Sequence, residues 1–184
     1  MAILNIPDAG NTIDDPSRIA EYLGSIGIKY DRWPVVEINA AEADSEVIKA
    51  YSYQIEKLKA DAGYVESDVV TVRPEIPGLE GMLDKFRREH WHDEDEVRFV
   101  VDGRGLFHIV PDRGDVVSVE MEAGDLICVP GGRLHWFDVC GEKRFRAIRL
   151  FSDRAGWTPK YTDSGRNEKY HPMCFDESPF RNLL

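Results

Sequence analysis

The stretch Glu89-His90-Trp91-His92-Asp93-Glu94-Asp95-Glu96-Val97-Arg98 concentrates the side chains best suited to chemistry. His90 and His92 are separated by one residue, and Glu96 follows four positions after the second. In an extended segment, side chains two apart leave the same face, so the two imidazoles can converge on one point. A turn through residues 93–95 would swing Glu96 back to that point. Imidazole and carboxylate together suit iron, nickel, manganese or zinc in preference to copper(I) or calcium. About forty residues on, Gly124-Asp-Leu-Ile-Cys-Val-Pro130-Gly-Gly132-Arg-Leu-His135 reads as a strand, a Pro/Gly turn and a third histidine. His135 is the candidate fourth ligand. Three imidazoles and one carboxylate leave a divalent ion with net positive charge and, in an octahedral site, adjacent open positions for a chelating oxygen donor. Arg98 has the strand parity to face the same cavity as Glu96, where a guanidinium would stabilise anionic oxygens by charge-assisted hydrogen bonds. Its competing reading is a surface ion pair with the acidic run 93–96, of which residues 93–95 are expected to be a solvated loop.

These segments need a frame that brings them together. After residue 96 the pattern is all-β. Val97–Val101 and Leu106–Val110 flank Asp102-Gly103-Arg104-Gly105, expected to be a hairpin turn. Val116–Met121, Asp125–Val129, Leu134–Val139 and Phe145–Phe151 follow as short strands between glycine-bearing turns. Strands at this spacing imply a sandwich or barrel, not a parallel α/β sheet. Before the β region, Asp15-Pro16 caps a short helix with Ile19, Leu23 and Ile26 inward and Gly27 beyond its end. One longer helix is expected over residues 44–62, burying Val47, Tyr51, Ile55, Leu58 and Ala62 and stopping at Gly63. Asp68–Val72 is a strand, and a helix over 78–88, with Leu79, Met82, Leu83 and Phe86 inward, leads to the histidines. The expected organisation is one domain over 1–184: an N-terminal helical and strand elaboration (1–75), a metal-binding β core (76–157) and a C-terminal tail (158–184).

Bulk properties restrict the partners. A chain of 184 residues can bury a sizeable core. The net charge of -11 and pI near 4.9 disfavour nucleic acid and anionic membranes. No apolar run has membrane-spanning length, and the start, Met1-Ala-Ile-Leu-Asn-Ile-Pro7, lacks a basic n-region. Cys128, Cys140 and Cys174 form no CxxC pair and cannot all be cross-linked within one chain. A cytoplasmic protein is expected, with Cys128 buried and Cys140 a thiol beside a turn without a visible partner. His108 and His171 are read as structural.

The two metal segments resemble the paired signature of the cupin superfamily: His90-x-His92, Glu96 and Gly103 in the first, Gly124, Pro130, Gly132 and His135 in the second. The glycine usually preceding the first motif is absent, and Val139 stands where asparagine is common. That resemblance implies a mainly β, jelly-roll type double-stranded β-helix barrel with a few flanking, mostly N-terminal helices. More narrowly, the continuation Glu96-Val-Arg98-Phe, the Tyr30-Asp-Arg-Trp33 segment, Lys85-Phe86-x-x-Glu89-His90 and Arg149-Leu-Phe151 resemble the acireductone dioxygenases of bacterial type. Trp91 departs from that family, which usually has threonine there, and its side chain is expected to point away from the metal. The resemblance implies one Fe(II) or Ni(II) per chain, held by His90, His92, Glu96 and His135. It implies a small acireductone and O2 as substrates, with Arg98 as the catalytic non-metal residue. Arg149 shares the family pattern and is a candidate to support the substrate pocket. Phe137, Phe151 and Trp157 are candidates for its apolar wall, although such residues equally serve as plain core. A monomer is expected. The alternatives are another mononuclear metal cupin (a dioxygenase or isomerase), which would lack the Glu96-Val-Arg98-Phe continuation, and a non-enzymatic ligand-binding cupin.

Overall fold

The computed structural model describes residues 1–39, 41–153, 158–170 and 174. Trp157 and His171 lie outside the described residues. The chain runs through β1 (Ile3–Ile6), β2 (Asn11–Ile13), α1 (Pro16–Ser25), β3 (Lys29–Arg32), α2 (Asp44–Ala50), α3 (Ser52–Ala62), β4 (Glu66–Val72) and α4 (Leu79–Arg87). It continues through β5 (His90–Trp91), β6 (Glu96–Ile109), β7 (Val117–Glu122), β8 (Asp125–Val129), β9 (His135–Val139), β10 (Phe145–Phe151) and β11 (Lys160–Tyr161). All pairings are antiparallel: β11-β5-β9-β6-β7-β1-β2 on one side, and β3-β8-β6-β10-β4 on the other. The fold is mainly β, of cupin type, with few helices, as expected.

The two sides share β6, and here the expected hairpin is corrected. Asp102-Gly103-Arg104-Gly105 does not turn the chain back; β6 runs unbroken through it. Its first half pairs with β8 and β10, and its second half with β7 and β9. Gly103, at φ 76°, lets the strand change sheets, beside a register shift between Arg146 and Ala147. A Cβ at Gly103 would lie 1.9 Å from the Arg144 carbonyl oxygen, so no other residue fits this corner.

The helices keep their places with one break. Asp15 caps α1 by accepting the Arg18 N–H at 2.9 Å, and Ile19 and Leu23 are fully buried while Ile26 is partly so. The single helix expected over 44–62 is divided at Tyr51 (φ −107°, ψ 16°) into α2 and α3. That phenol is committed to the core: it packs edge-on against Phe99, and its oxygen accepts the Val36 N–H at 2.9 Å. Val47, Ile55 and Leu58 are buried, whereas Ala62 is exposed. The reading of Cys140 is corrected too: it is cross-linked to Cys174, which ties the tail to the outer face of β6 around Leu106. Cys128 is buried and free. No helix among the described residues is long and apolar enough to cross a membrane.

Candidate metal centre

The two sequence segments meet through backbone pairing. His90 on β5 lies directly opposite His135 on β9. The turn between β5 and β6 is fastened to the Pro/Gly turn before β9: Gly132 N–H donates to the His92 carbonyl at 2.8 Å, and Gly131 N–H to Asp95 Oδ1 at 3.0 Å. Asp95 Oδ2 accepts the Tyr64 hydroxyl at 2.8 Å. The acidic run is therefore only partly solvated loop, because Asp95 is its anchor. Glu96 opens β6 and returns to the histidines. His90, His92, Glu96 and His135 are all buried, and their donor atoms lie within 4.8 Å of one another.

Each donor is oriented from behind or from the side. His90 Nδ1 is 2.7 Å from the Arg88 carbonyl and His135 Nδ1 is 2.8 Å from the Arg133 carbonyl. A ring N–H given to a carbonyl leaves Nε2 with its lone pair toward the cluster. Glu96 Oε2 lies 3.0 Å from His92 Nε2 and 3.2 Å from His135 Nε2. Burial, with the neighbouring His135, pulls His90 down to about 4, so it is a neutral ligand-ready imidazole near pH 7. For Glu96, burial works against ionisation, but Arg98 and the imidazoles outweigh it and hold the carboxylate well below its usual range. Three buried imidazoles aimed at one ionised carboxylate fit a borderline divalent ion.

Arg98 is also buried, with its guanidinium 3.1 Å from Glu96 Oε1 and 3.1 Å from the Val97 carbonyl. Burial lowers it to about 10, which still leaves it charged at neutral pH. Arg149 pairs across the strands with Arg98 and gives both Nε and a terminal nitrogen to Asp68 at 2.7 Å. The aromatic candidates are placed differently. Phe137 packs between Phe107 and Phe145, at 4.8 and 4.9 Å between ring centroids. Phe151 lies under the Arg149 guanidinium. The apolar cavity beside His90 and His92, about 190 Å³, is instead lined by Lys85, Phe86, Pro159 and Tyr161. Phe86 was legible as an inward residue of α4. Tyr161 was not, because only the β11–β5 pairing sets it opposite His90. Glu89 was missed as well: this buried carboxylate accepts the Ser164 hydroxyl at 2.7 Å and faces Arg166 at 3.1 Å, clamping the tail beside His90. No local sequence signal marks it. Trp91 is turned to the other side of β5, under the Lys160 ammonium at 4.4 Å.

Residues 10–159 match the model of the ARD/ARD' family. Among curated relatives, an acireductone dioxygenase of Picosynechococcus is 39% identical over 174 residues, covering 94% of this chain and 99% of the relative. One from Alcanivorax borkumensis is 42% identical over 168 residues, covering 88% of this chain and 90% of the relative. Among solved structures, the acireductone dioxygenase of Bacillus anthracis, with a cadmium ion in its active centre, superposes with a TM-score of 0.83. It is 32% identical and covers 88% of this chain and 98% of that one.

Proposed function

Because the chain belongs to the ARD/ARD' family of metal-dependent dioxygenases, we propose that it is an acireductone dioxygenase acting on 1,2-dihydroxy-3-keto-5-methylthiopentene in methionine salvage. The observation that carries this reading is the convergence of four buried donor atoms within 4.8 Å, beside a buried arginine and an apolar cavity. His90, His92, Glu96 and His135 would hold one Fe(II) or Ni(II). When bound, the ion supplies Lewis acidity that favours the deprotonated, electron-rich enediol and leaves room for a chelating substrate.

The chain's own residues supply the rest. Arg98 presents a charged guanidinium to the oxygens that become anionic, at a site where burial strengthens the interaction. Arg149, held by Asp68 of β4, lies directly opposite it on the neighbouring strand β10. Phe86, Pro159 and Tyr161 offer an apolar wall for the methylthio tail. Both atoms of O2 enter the products. The iron form gives formate and 4-methylthio-2-oxobutanoate; the nickel form gives 3-methylthiopropanoate, formate and carbon monoxide. We take the chain to act as one domain and as a monomer, since the four donors, Arg98 and the cavity all come from one chain and the two sheets share β6.

The test is reconstitution. Apoprotein loaded separately with Fe(II) and Ni(II) is given the acireductone in air, and the products are identified by NMR and gas analysis. Metal-dependent consumption with the two product sets is expected. Absence of turnover with both ions rejects the reading.

A further inference from the structure

The two-residue ladder between β5 and β11 has two faces with different surroundings. Tyr161 pairs with His90, and Lys160 with Trp91. Cross-strand partners share a face and successive residues alternate, so the two pairs lie on opposite sides. On the His90 side, the Tyr161 ring is 5.8 Å from the imidazole and lines the apolar cavity of about 190 Å³. On the reverse side, the Lys160 ammonium sits 4.4 Å over the Trp91 ring and 2.6 and 2.7 Å from the two Asp93 carboxylate oxygens.

Among the residues lining that cavity, Tyr161 is the wall least constrained by the rest of the fold. His90 and His92 belong to the candidate ligand set, and Phe86 is packed against the main core. Tyr161 stands on the strand that ends its sheet and is 36% exposed, so one side of its ring meets the cavity and the other meets solvent. The ring is nevertheless held in place. The Arg88 guanidinium covers it at 4.2 Å, and the next residue, Thr162, gives its N–H to the Glu89 carbonyl at 3.0 Å. The cavity is also small beside the roughly 300–1,000 Å³ of drug-sized pockets, which leaves room for a short chain only.

We propose that Tyr161 is a specificity-determining residue whose ring limits the substrate to a short apolar tail, and that Trp91, through Lys160, is the positioning residue that keeps this ring in place. The identity of the substrate rests on the dioxygenase reading; the length limit is a property of the cavity. Each methylene that enters the cavity leaves water and tightens binding until the tail meets the ring. A longer tail must then stay in water or push Tyr161 outward, which breaks the Arg88 contact and the pairing with His90. A hydroxylated or charged tail loses its hydration against Phe86 and Pro159, which offer it no side-chain partner. Trp91 acts from the far side of the ladder. Its ring and Asp93 together fix Lys160, the residue next to Tyr161, whereas a threonine at position 91 would offer the ammonium no aromatic face.

The probes are straight-chain alkyl hydroxamates of increasing length, from acetohydroxamate to decanohydroxamate, whose two oxygens chelate a divalent ion. They are titrated by calorimetry into the full chain loaded with Zn(II), which has no redox chemistry. In the parent chain, affinity should rise about fourfold per methylene and then stop rising at a definite length. In Tyr161→Ala the rise should continue for about two more methylenes, so the first over-long hydroxamate binds about tenfold tighter than it does to the parent. Tyr161→Phe should keep the parent limit, because the ring and not the hydroxyl forms the wall. Both variants alter a partly exposed side chain on an edge strand and should fold. Trp91→Thr should relax the same limit about two- to fivefold, the worth of an exposed cation–aromatic contact. An unchanged limit in Tyr161→Ala, a lost limit in Tyr161→Phe, affinity independent of length, or no binding by any member overturns the role of Tyr161. An unchanged limit in Trp91→Thr overturns the role of Trp91. Turnover is not read, so a chain that fails the dioxygenase test can still show the limit, and one that passes can lack it.

Discussion

Arg98 and Arg149 stand directly opposite one another on β6 and β10, two like charges in a cross-strand pair. Such a pair is unfavourable unless each charge is compensated. Here Asp68 takes Arg149 through two bonds of 2.7 Å, and Glu96 Oε1 takes Arg98 at 3.1 Å. The carboxylate of Glu96 is thereby divided, with Oε2 left to His92 and His135. One residue thus couples the candidate metal ligands to the arginine.

That coupling separates two variants. Arg98→Ala keeps all four donors and should retain metal while losing activity by about 10²-fold or more, the usual cost of removing a donor to a developing anion. It should also destabilise the protein by about 3 kcal/mol, because Glu96 is left buried without its partner. His92→Ala should instead lose the metal itself. Metal content by mass spectrometry, with initial rates, distinguishes them. Full activity in metal-loaded Arg98→Ala would remove the arginine from the reaction.

Gly131 joins the two halves of the centre, and a side chain there should pull them apart. A Cβ at this position would lie 2.4 Å from the Asp93 carbonyl oxygen, a backbone atom that can move only with its loop. Gly131→Ala should therefore displace the 93–96 turn and weaken metal binding at least about tenfold, the scale seen when supports of a ligand are disturbed. Gly114→Ala is the control, since a Cβ there meets nothing within 4 Å. Although its positive φ carries some strain, its metal affinity should stay near that of the parent chain, as measured by competition with a chelator.

The local part of this architecture was open to reading. The alternating histidines, the glutamate at a fixed offset, the Asp15-Pro16 cap and most strand spans depend on neighbours in sequence. What escaped depends on distant partners. Asp102-Gly103-Arg104-Gly105 has the same residues whether it closes a hairpin or bends one strand, and only the Arg144 carbonyl and the pairing with β10 decide for the bend. Tyr51 looks like an ordinary helix residue until its hydroxyl meets Val36. Three cysteines do not say which two pair. The apolar cavity draws on Phe86 from a helix and Tyr161 from the tail, brought together by a two-residue strand. Phe137 shows the converse: a phenylalanine serves equally as pocket wall or as plain core, and here Phe107 and Phe145 enclose it.

His108 should give the apoprotein a definite pH signature. Burial lowers its pKa to about 4 from an ordinary 6.5. Above pH 6.5 both folded and unfolded chains carry it neutral, and it adds no pH dependence. Between 6.5 and 4 the unfolded chain takes up a proton that the folded chain refuses, so stability falls as pH falls. The slope is about 1.4 kcal/mol per pH unit, and the total is on the order of 3 kcal/mol, complete once pH drops below the folded value. Urea midpoints of the parent chain and His108→Gln at pH 7.5 and 5 should diverge accordingly, with the variant losing less. Parallel pH profiles would contradict the burial of a neutral imidazole at this position.

The Cys140–Cys174 bond should act on stability and on the metal centre together. It closes a loop of 34 residues, for which restriction of the unfolded chain is worth about 3–4 kcal/mol on the loop-entropy model. That loop contains β11, which pairs with β5, and Ser164 and Arg166, which hold Glu89 next to His90. Releasing its far end lowers the cost of peeling the tail away, and the first contacts exposed are those of Tyr161 and Glu89. Cys140→Ser, or the parent chain in dithiothreitol, should melt several degrees lower. Hydrogen exchange should quicken at residues 160–162 before it quickens in β6 or β10, because the tail is held by fewer contacts than the core strands. Glu89→Gln in the oxidised chain should reproduce the faster exchange without the full loss in melting temperature, since it loosens the clamp and leaves the cross-link. If reduction changes neither melting nor exchange near Tyr161, the bond does not anchor the tail that closes over the metal centre.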